Sequence, residues 1–373
     1  MESLRFLLYP FALLYGIAVY FRNMMFDIGI LRSKSFPVWV ISVGNLSVGG
    51  TGKSPHIEYL ISILDKLSSS YKNMNITANH TAVLSRGYGR KTSGFLLVDE
   101  NLTAQEVGDE PKQIKEKYKD VYVAVDEKRA RGVKKLLEIN KDINLFLLDD
   151  AVQHRYVTPT FSILLTNYHK PFYEDHLMPA GNLREQRRGY KRADIIIVTR
   201  TPQNLPDVEK KIVIKKINPL THQKVFFSSV IYDAPVPVYS DSILTPKLDK
   251  NTSVVLLTGI ANSNDLRKSM LAQAKEVKHI NYADHHQYTL VDIMKVVDTF
   301  NRIENPDKII ITTEKDAMRL HQSSVVEQLG KLPIFYIPIH IKIREEAEFE
   351  EQVLRYLSSS KLYKPIAKIP PQV

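Results

Sequence analysis

The feature that most constrains this chain is a glycine-rich loop set between a short apolar run and an amphipathic stretch. Val38 to Val43 (Val-Trp-Val-Ile-Ser-Val) reads as a buried strand, and Gly44-Asn-Leu-Ser-Val-Gly-Gly-Thr-Gly-Lys-Ser54 follows at once. Ile57, Leu60, Ile61 and Leu64 then recur at helical spacing. A strand, a glycine loop and a helix in that order turn backbone N–H groups inward at a helix N-terminus, where they cradle phosphate oxygens. Gly49, Gly50, Thr51, Gly52, Lys53 and Ser54 are therefore the expected nucleotide-binding residues. Lys53 would reach the β/γ-phosphates and the Ser54 hydroxyl would bind Mg²⁺. One position departs from the usual pattern: Ser47 stands where a glycine is expected, five residues before Gly52.

The rest of the first half continues as strands alternating with helical stretches. Thr81–Ser85, Val121–Val125, Asn144–Leu148, Phe161–Thr166 and Ile195–Thr199 read as strands, and Glu127–Ile139 as a charged helix. Alternation of this kind predicts an α/β fold of the P-loop NTPase type, a parallel sheet with helices on both faces. Past residue 200 the texture changes. Thr201–Pro219 is charged and proline-containing, and Val225–Tyr239 resembles paired strands, a strand-rich connector. A second, smaller α/β lobe follows, with strands at Ser253–Leu257, Lys278–Asn281 and Ile309–Thr313 and a helix near Asn264–Ala274. The expected division is 1–30 as an amphipathic N-terminal helix, 31–215 as the P-loop domain and 216–340 as the second lobe. Residues 341–373 complete it as a helix (Glu345–Ser358) and a loose tail from Lys364.

Phe6 to Phe21 carries no charge, which is short of the roughly 20 apolar residues a spanning helix needs, and Pro10 and Gly16 interrupt it. Arg5, Arg22, Arg32 and Lys34 flank it. A helix lying in the interface of an anionic leaflet fits this pattern better than a span or a cleaved leader. The 373 residues hold no Cys and carry a formal net charge of +10. Thiolate metal sites and disulfides are thus excluded, and an anionic partner is favoured.

Asp149-Asp150 closes the apolar strand Asn144–Leu148, where a carboxylate can hold Mg²⁺ directly or through water. Nine blocks in order then carry a resemblance. They are Ser42–Ser54, Leu84-Ser-Arg-Gly-Tyr-Gly-Arg90, Val107-Gly-Asp-Glu-Pro111, Leu148-Asp-Asp-Ala-Val-Gln-His154 and Pro179-Ala-Gly-Asn-Leu-Arg-Glu185. Arg192-Ala-Asp194, Thr258-Gly-Ile-Ala-Asn262, Asp284-His-His286 and Thr313-Glu-Lys-Asp316 complete them. Together they resemble the tetraacyldisaccharide 4′-kinase family, the lipid A kinases of Gram-negative bacteria. Two positions depart from that family's pattern: Ala151-Val152 replaces Gly-Phe, which removes backbone freedom in the turn, and Gln186 replaces Pro.

The resemblance implies transfer of the ATP γ-phosphoryl group, with Mg²⁺, to the 4′-hydroxyl of an acylated glucosamine disaccharide 1-phosphate. It implies a place on the cytoplasmic face of the inner membrane. It further implies Asp109 as the base, His285 as its partner from the second lobe and Glu185 as an acid near the metal beside Ser54, Asp149 and Asp150. On spacing alone Asp109 would be a helix cap, and either histidine of the pair would be structural. Arg184, Arg187, Arg188, Lys191 and Arg192 could hold the substrate phosphate or anionic head groups. Two other classes compete. One is a regulatory P-loop ATPase or GTPase at the membrane; as a GTPase it would need a guanine-reading motif, and Thr313-Glu-Lys-Asp316 has its Lys displaced by one position. A basic nucleic-acid-binding module would need a reading motif that the chain lacks, so no nucleic-acid partner is expected.

Overall fold

The computed structural model describes residues 6–70, 76–239, 248–321 and 323–359. The large sheet collects β1 (Trp39–Asn45), β2 (Thr81–Ser85), β3 (Leu96–Leu97), β4 (Tyr122–Val125), β5 (Leu145–Asp149), β6 (Phe161–Asn167), β7 (Ile195–Thr199) and β8 (Lys224–Tyr232). A ninth strand, numbered β14 (Ile339–Ile343) by its place in the chain, closes one edge, giving the order β14-β8-β7-β6-β1-β5-β2-β4-β3. All pairings from β8 to β4 are parallel, and β14 and β3 are antiparallel edges.

Every residue of β1 is buried because helices cover both faces of the sheet. Ile41 and Val43 pack with Ile57, Leu60 and Leu64 of helix α2 (Lys53–Ser70). Val38, just before β1, and Val40 pack on the other face with Val133 and Leu136 of helix α4 (Arg129–Ile139). Between them in the chain lies helix α3 (Asp109–Lys117), and helix α5 (Asp207–Ile217) follows β7.

The second sheet has the order β11-β10-β12-β13-β9, built from β9 (Val236–Pro237), β10 (Ser253–Thr258), β11 (Glu276–Asn281), β12 (Lys308–Thr313) and β13 (Ile334–Ile337). Helices α6 (Asn264–Gln273), α7 (Leu290–Asn301) and the single turn α8 (Glu314–Ala317) accompany it.

The expectation of paired strands over Val225–Tyr239 is corrected here. β8 continues the large sheet parallel to β7, while β9 pairs antiparallel with β13 of the second sheet. Phe226 and Phe227 are buried on opposite faces of the large sheet, a placement that a two-stranded ribbon between lobes could not provide. The second sheet is thus inserted between β8 and β14, and a boundary at 215/216 cuts ahead of a strand that the large sheet retains. Helix α9 (Glu346–Ser359) also returns to the large lobe. There Phe349 meets Phe226 edge-on with ring centroids 5.3 Å apart, and the Trp39 indole N–H donates to the Leu357 carbonyl at 3.0 Å. The tail expected from Lys364 lies outside the described residues.

Helix α1 (Tyr9–Asp27) lies along the large lobe through Ala12, Gly16, Asn23 and Phe26. A side chain at Gly16 would stand 2.8 Å from a Leu177 methyl, so the glycine permits the close approach. Leu13, Leu14 and Phe21 are more than half exposed on its outer side. Among the described residues no helix is long and apolar enough to cross a membrane.

Candidate active site

The phosphate loop runs from the end of β1 to the start of α2 at Lys53. Gly49 (φ 105°) and Gly52 (φ 84°) hold backbone conformations that a side chain would strain. Ser47 forms an isolated bridge with Leu183, so the position that departs from the usual pattern is held by a neighbouring segment. β5 lies beside β1 with Asp149 in register with Val43, which carries both acids to the loop.

Lys53 Nζ is 3.7 Å from Asp150 Oδ1, and Arg184 donates to Asp150 Oδ2 at 2.7 Å. Burial opposes ionisation of Asp150, yet the Lys53 and Arg184 charges outweigh it and hold the carboxyl below its ordinary range. Asp149 goes the other way: burial, then the Glu110 charge, pushes its carboxyl up. One buried oxygen of each acid, and the Thr51 hydroxyl, find no hydrogen-bond partner. Unpaired acceptors beside a phosphate loop fit a hard cation. Mg²⁺ needs only one or two carboxylates when phosphates and water complete its shell.

At the turn after β5 the left-handed residue is Asp150 (φ 49°). Ala151 is not in that region, so the expected loss of freedom from replacing glycine costs nothing here. The space is bounded instead by Gly44, whose added side chain would meet Val152 at 2.9 Å.

Across the cleft, Asp109 opens α3 and His285 comes from the second lobe. His285 Nδ1 stands 3.0 Å from Asp109 Oδ2, the contact that would require the two lobes to face each other. Lys315 donates to His285 Nε2 at 3.3 Å, so Nδ1 carries the proton shared with Asp109. Burial raises the Asp109 carboxyl, but hydrogen bonds from His285 and Arg319 and the Lys315 charge lower it further, to about 2. His286, by contrast, stacks on Tyr282 and hydrogen-bonds Asp292 at 3.0 Å, a structural role that separates it from its neighbour. Asp109 itself is buried just behind the cleft wall, which Glu110, His285 and Lys315 line.

Glu185 is not brought to the cleft. Its buried carboxylate is occupied by Gln153 (2.9 Å), Arg192 (2.6 Å) and Asn23 (3.2 Å), tying α1 to the loop behind Asp150. The basic cluster disperses as well. Arg184 reaches Asp150, Arg187 bonds the Asp175 carbonyl, Arg188 lies over the Tyr20 ring, and Lys191 makes no cleft contact. In the Thr313-Glu-Lys-Asp316 block, Asp316 is fully buried on Gly259 and Lys315 bonds Glu110, so neither is available to read a guanine base.

The cleft has a volume of about 940 Å³ and is lined from both lobes and by Tyr15, Val19 and Arg22 of α1. Sequence reasoning overlooked Glu110 and Arg129 in its wall, and Arg319, which donates to Asp109 Oδ2 at 2.5 Å. Arg319 lies three residues beyond Asp316, a helical spacing that could have suggested a paired acid and base.

The parallel sheet, the phosphate loop with its adjacent acids and the facing acid–imidazole pair define a P-loop kinase. Residues 4–358 match the family model described as tetraacyldisaccharide-1-P 4′-kinase, LpxK. The tetraacyldisaccharide 4′-kinase of Bacteroides thetaiotaomicron is 41% identical over 362 residues, covering 94% of this chain and 92% of that protein. The enzyme of that name from Flavobacterium johnsoniae is 40% identical over 361 residues, covering 96% and 99%. The crystal structure of LpxK from Aquifex aeolicus, determined in complex with ATP, matches with a TM-score of 0.70 at 28% identity over 95% of this chain and 99% of that one. The chain belongs to the tetraacyldisaccharide 4′-kinase family.

Proposed function

We propose that this protein transfers the ATP γ-phosphoryl group to the 4′-hydroxyl of a tetraacylated glucosamine disaccharide 1-phosphate, giving the bis-phosphorylated lipid A precursor. The observation that carries this reading is His285 facing the phosphate loop and two acids across one cleft, with Asp109 hydrogen-bonded to it just behind the wall, in a chain that matches the family over residues 4–358. The loop backbone from Gly49 to Gly52 and the Lys53 ammonium hold the nucleotide phosphates. Ser54, Asp149 and Asp150 would hold Mg²⁺, which when bound would supply neutralisation of the phosphate charge. Asp109 accepts the proton of the attacking hydroxyl while His285 orients its carboxylate, and the work of both lobes is to bring acceptor and phosphate into line. Glu185 acts behind this site by fixing Gln153 and α1 rather than as a metal ligand.

The acceptor is a lipid, and the exposed apolar side of α1 with Arg188 beside it suits a helix lying on an anionic inner-membrane surface, on its cytoplasmic face. Because Tyr15, Val19 and Arg22 of the same helix line the cleft, a head group at the interface would lie at its mouth. The experiment is transfer of labelled phosphate from ATP to the acylated disaccharide 1-phosphate in detergent with Mg²⁺. Mg²⁺-dependent 4′-phosphate is expected. No transfer by a folded, ATP-binding protein would overturn the reading.

A further inference from the structure

Asp109 and His285 come from different lobes, and neither lobe alone sets the distance between them. One residue bonds Asp109 directly and shares a backbone acceptor with His285. Arg319, fully buried in the second lobe, donates through Nη2 to Asp109 Oδ2 at 2.5 Å. Its Nη1 donates to the Gly259 carbonyl at 3.1 Å, and that same carbonyl accepts the backbone N–H of His285 at 3.2 Å. Nη1 also meets Asp316 Oδ1 at 2.9 Å.

Asp316 is anchored in turn. Its Oδ2 accepts from the Gly259 N–H at 2.9 Å and the Thr313 hydroxyl at 2.7 Å, at the ends of β10 and β12. A side chain at Gly259 would stand 3.1 Å from Asp316 and 2.9 Å from the Tyr288 hydroxyl, so this carbonyl has little room to shift. The planar guanidinium thus spans from the rigid end of the second sheet to the first-lobe acid. It does so with its own Nε buried and unpaired. Leaving a buried donor unpaired is unfavourable, so the orientation is one the surroundings enforce rather than the one that best satisfies the arginine.

Both Arg319 and His285 donate to Oδ2. Among the described residues no donor reaches Oδ1, which remains the oxygen able to receive a proton.

We propose that Arg319 is the positioning residue of the Asp109–His285 pair, setting their separation across the lobes and orienting Asp109 so that Oδ1 is its proton-accepting atom. The proposal rests on the kinase reading for its kinetic test. A lysine cannot replace the residue fully, because one ammonium cannot reach Asp109, Asp316 and Gly259 with the geometry of a planar fork.

The test compares wild type, Arg319→Gln and Arg319→Lys, alone and combined with Asp109→Asn, in the phosphoryl-transfer assay. For Arg319→Gln, kcat is expected to fall roughly 10²-fold with the KM for ATP unchanged, because misplacing a reacting group by about an ångström has that scale of effect. Arg319→Lys should fall between the two. In the Asp109→Asn background either change should cost almost nothing further in kcat, since the group being positioned is gone. Wild-type kcat in Arg319→Gln, or losses that multiply in the double variant, would overturn the proposal. If Arg319→Gln does not fold, the Arg319→Lys cycle decides alone. A crystal structure of Arg319→Lys reads the positioning without any acceptor, so it remains decisive if wild type itself fails to transfer phosphate. The Asp109–His285 contact should open beyond roughly 3.5 Å, and an intact contact would refute the role.

Discussion

Asp109→Asn tests the proposed proton acceptance separately from the hydrogen bonds Asp109 makes. In the native site Oδ2 receives both Arg319 and His285, so the asparagine carbonyl should take that position and keep both donors. The amide NH₂ then falls where Oδ1 stood, placing a donor where the acceptor hydroxyl needs an acceptor. Loss of a positioned base corresponds to about 10²–10⁴ in kcat, which is about 2.7–5.4 kcal/mol of barrier. The cost in stability should be smaller than the 3–5 kcal/mol of a fully stranded buried charge, because Arg319 keeps Asp316 and the Gly259 carbonyl. The assay is steady-state transfer of labelled phosphate at saturating ATP and acceptor, with thermal unfolding of the same preparations as control. A kcat loss of this size with a nearly unchanged melting temperature is expected. A rise in KM at unchanged kcat would refute the reasoning and reduce Asp109 to a binding group.

Three further outcomes follow from other parts of the molecule. Phe349→Ala should destabilise the large lobe by about 3–5 kcal/mol, because its ring is buried between Tyr59 and Phe226; urea unfolding followed by Trp39 fluorescence checks it, and an unchanged midpoint would mean that α9 is not part of this core. Glu58 is pushed up to about 7, by burial first, so the folded state binds the extra proton between about 4.5 and 7. Its stabilising contribution is full below 4.5 and disappears as pH rises through 7, a change of about 3 kcal/mol at 1.36 kcal/mol per unit. His56, held to about 4 by burial, acts in the opposite sense as pH falls, so the difference between wild type and Glu58→Gln isolates the effect; parallel stability curves from pH 4 to 8 would contradict it. Replacing Leu13, Leu14 and Phe21 together by Ser should release the protein from anionic vesicles, and undiminished sedimentation with them would locate the membrane contact elsewhere.

Much of the architecture was legible in the chain because it is written in local patterns. Apolar runs such as Ile195–Thr199 are too short for helices and too apolar for surface strands, so they could only be buried parallel strands. The phosphate loop was equally legible, since its chemistry sits in consecutive residues between one strand and one helix. The ordered blocks pointed to Asp109 and His285, although not to the atoms through which they meet.

Other features depended on contacts between residues far apart in sequence. Nothing in Val225–Tyr239 announces that β8 and β9 serve different sheets, because strand partnership is set by which edge is open when the chain arrives. Glu185 looked like a metal ligand in its motif, yet Arg192, Gln153 and Asn23 close around it, two of them beyond the reach of any local pattern. Arg319 lies outside the ordered blocks, and its spacing from Asp316 says nothing of the acid 210 positions away that it also bonds. The sequence by itself determined the strands and the phosphate loop, and its ordered blocks marked Asp109 and His285 through the family resemblance alone. Only the tertiary structure decided which carboxylate oxygens lack a hydrogen-bond partner beside the phosphate loop, which acids are already satisfied and which arginine bonds Asp109. Hydrogen-bond satisfaction in a buried site is a property of the whole surrounding shell, and that shell is assembled from both lobes.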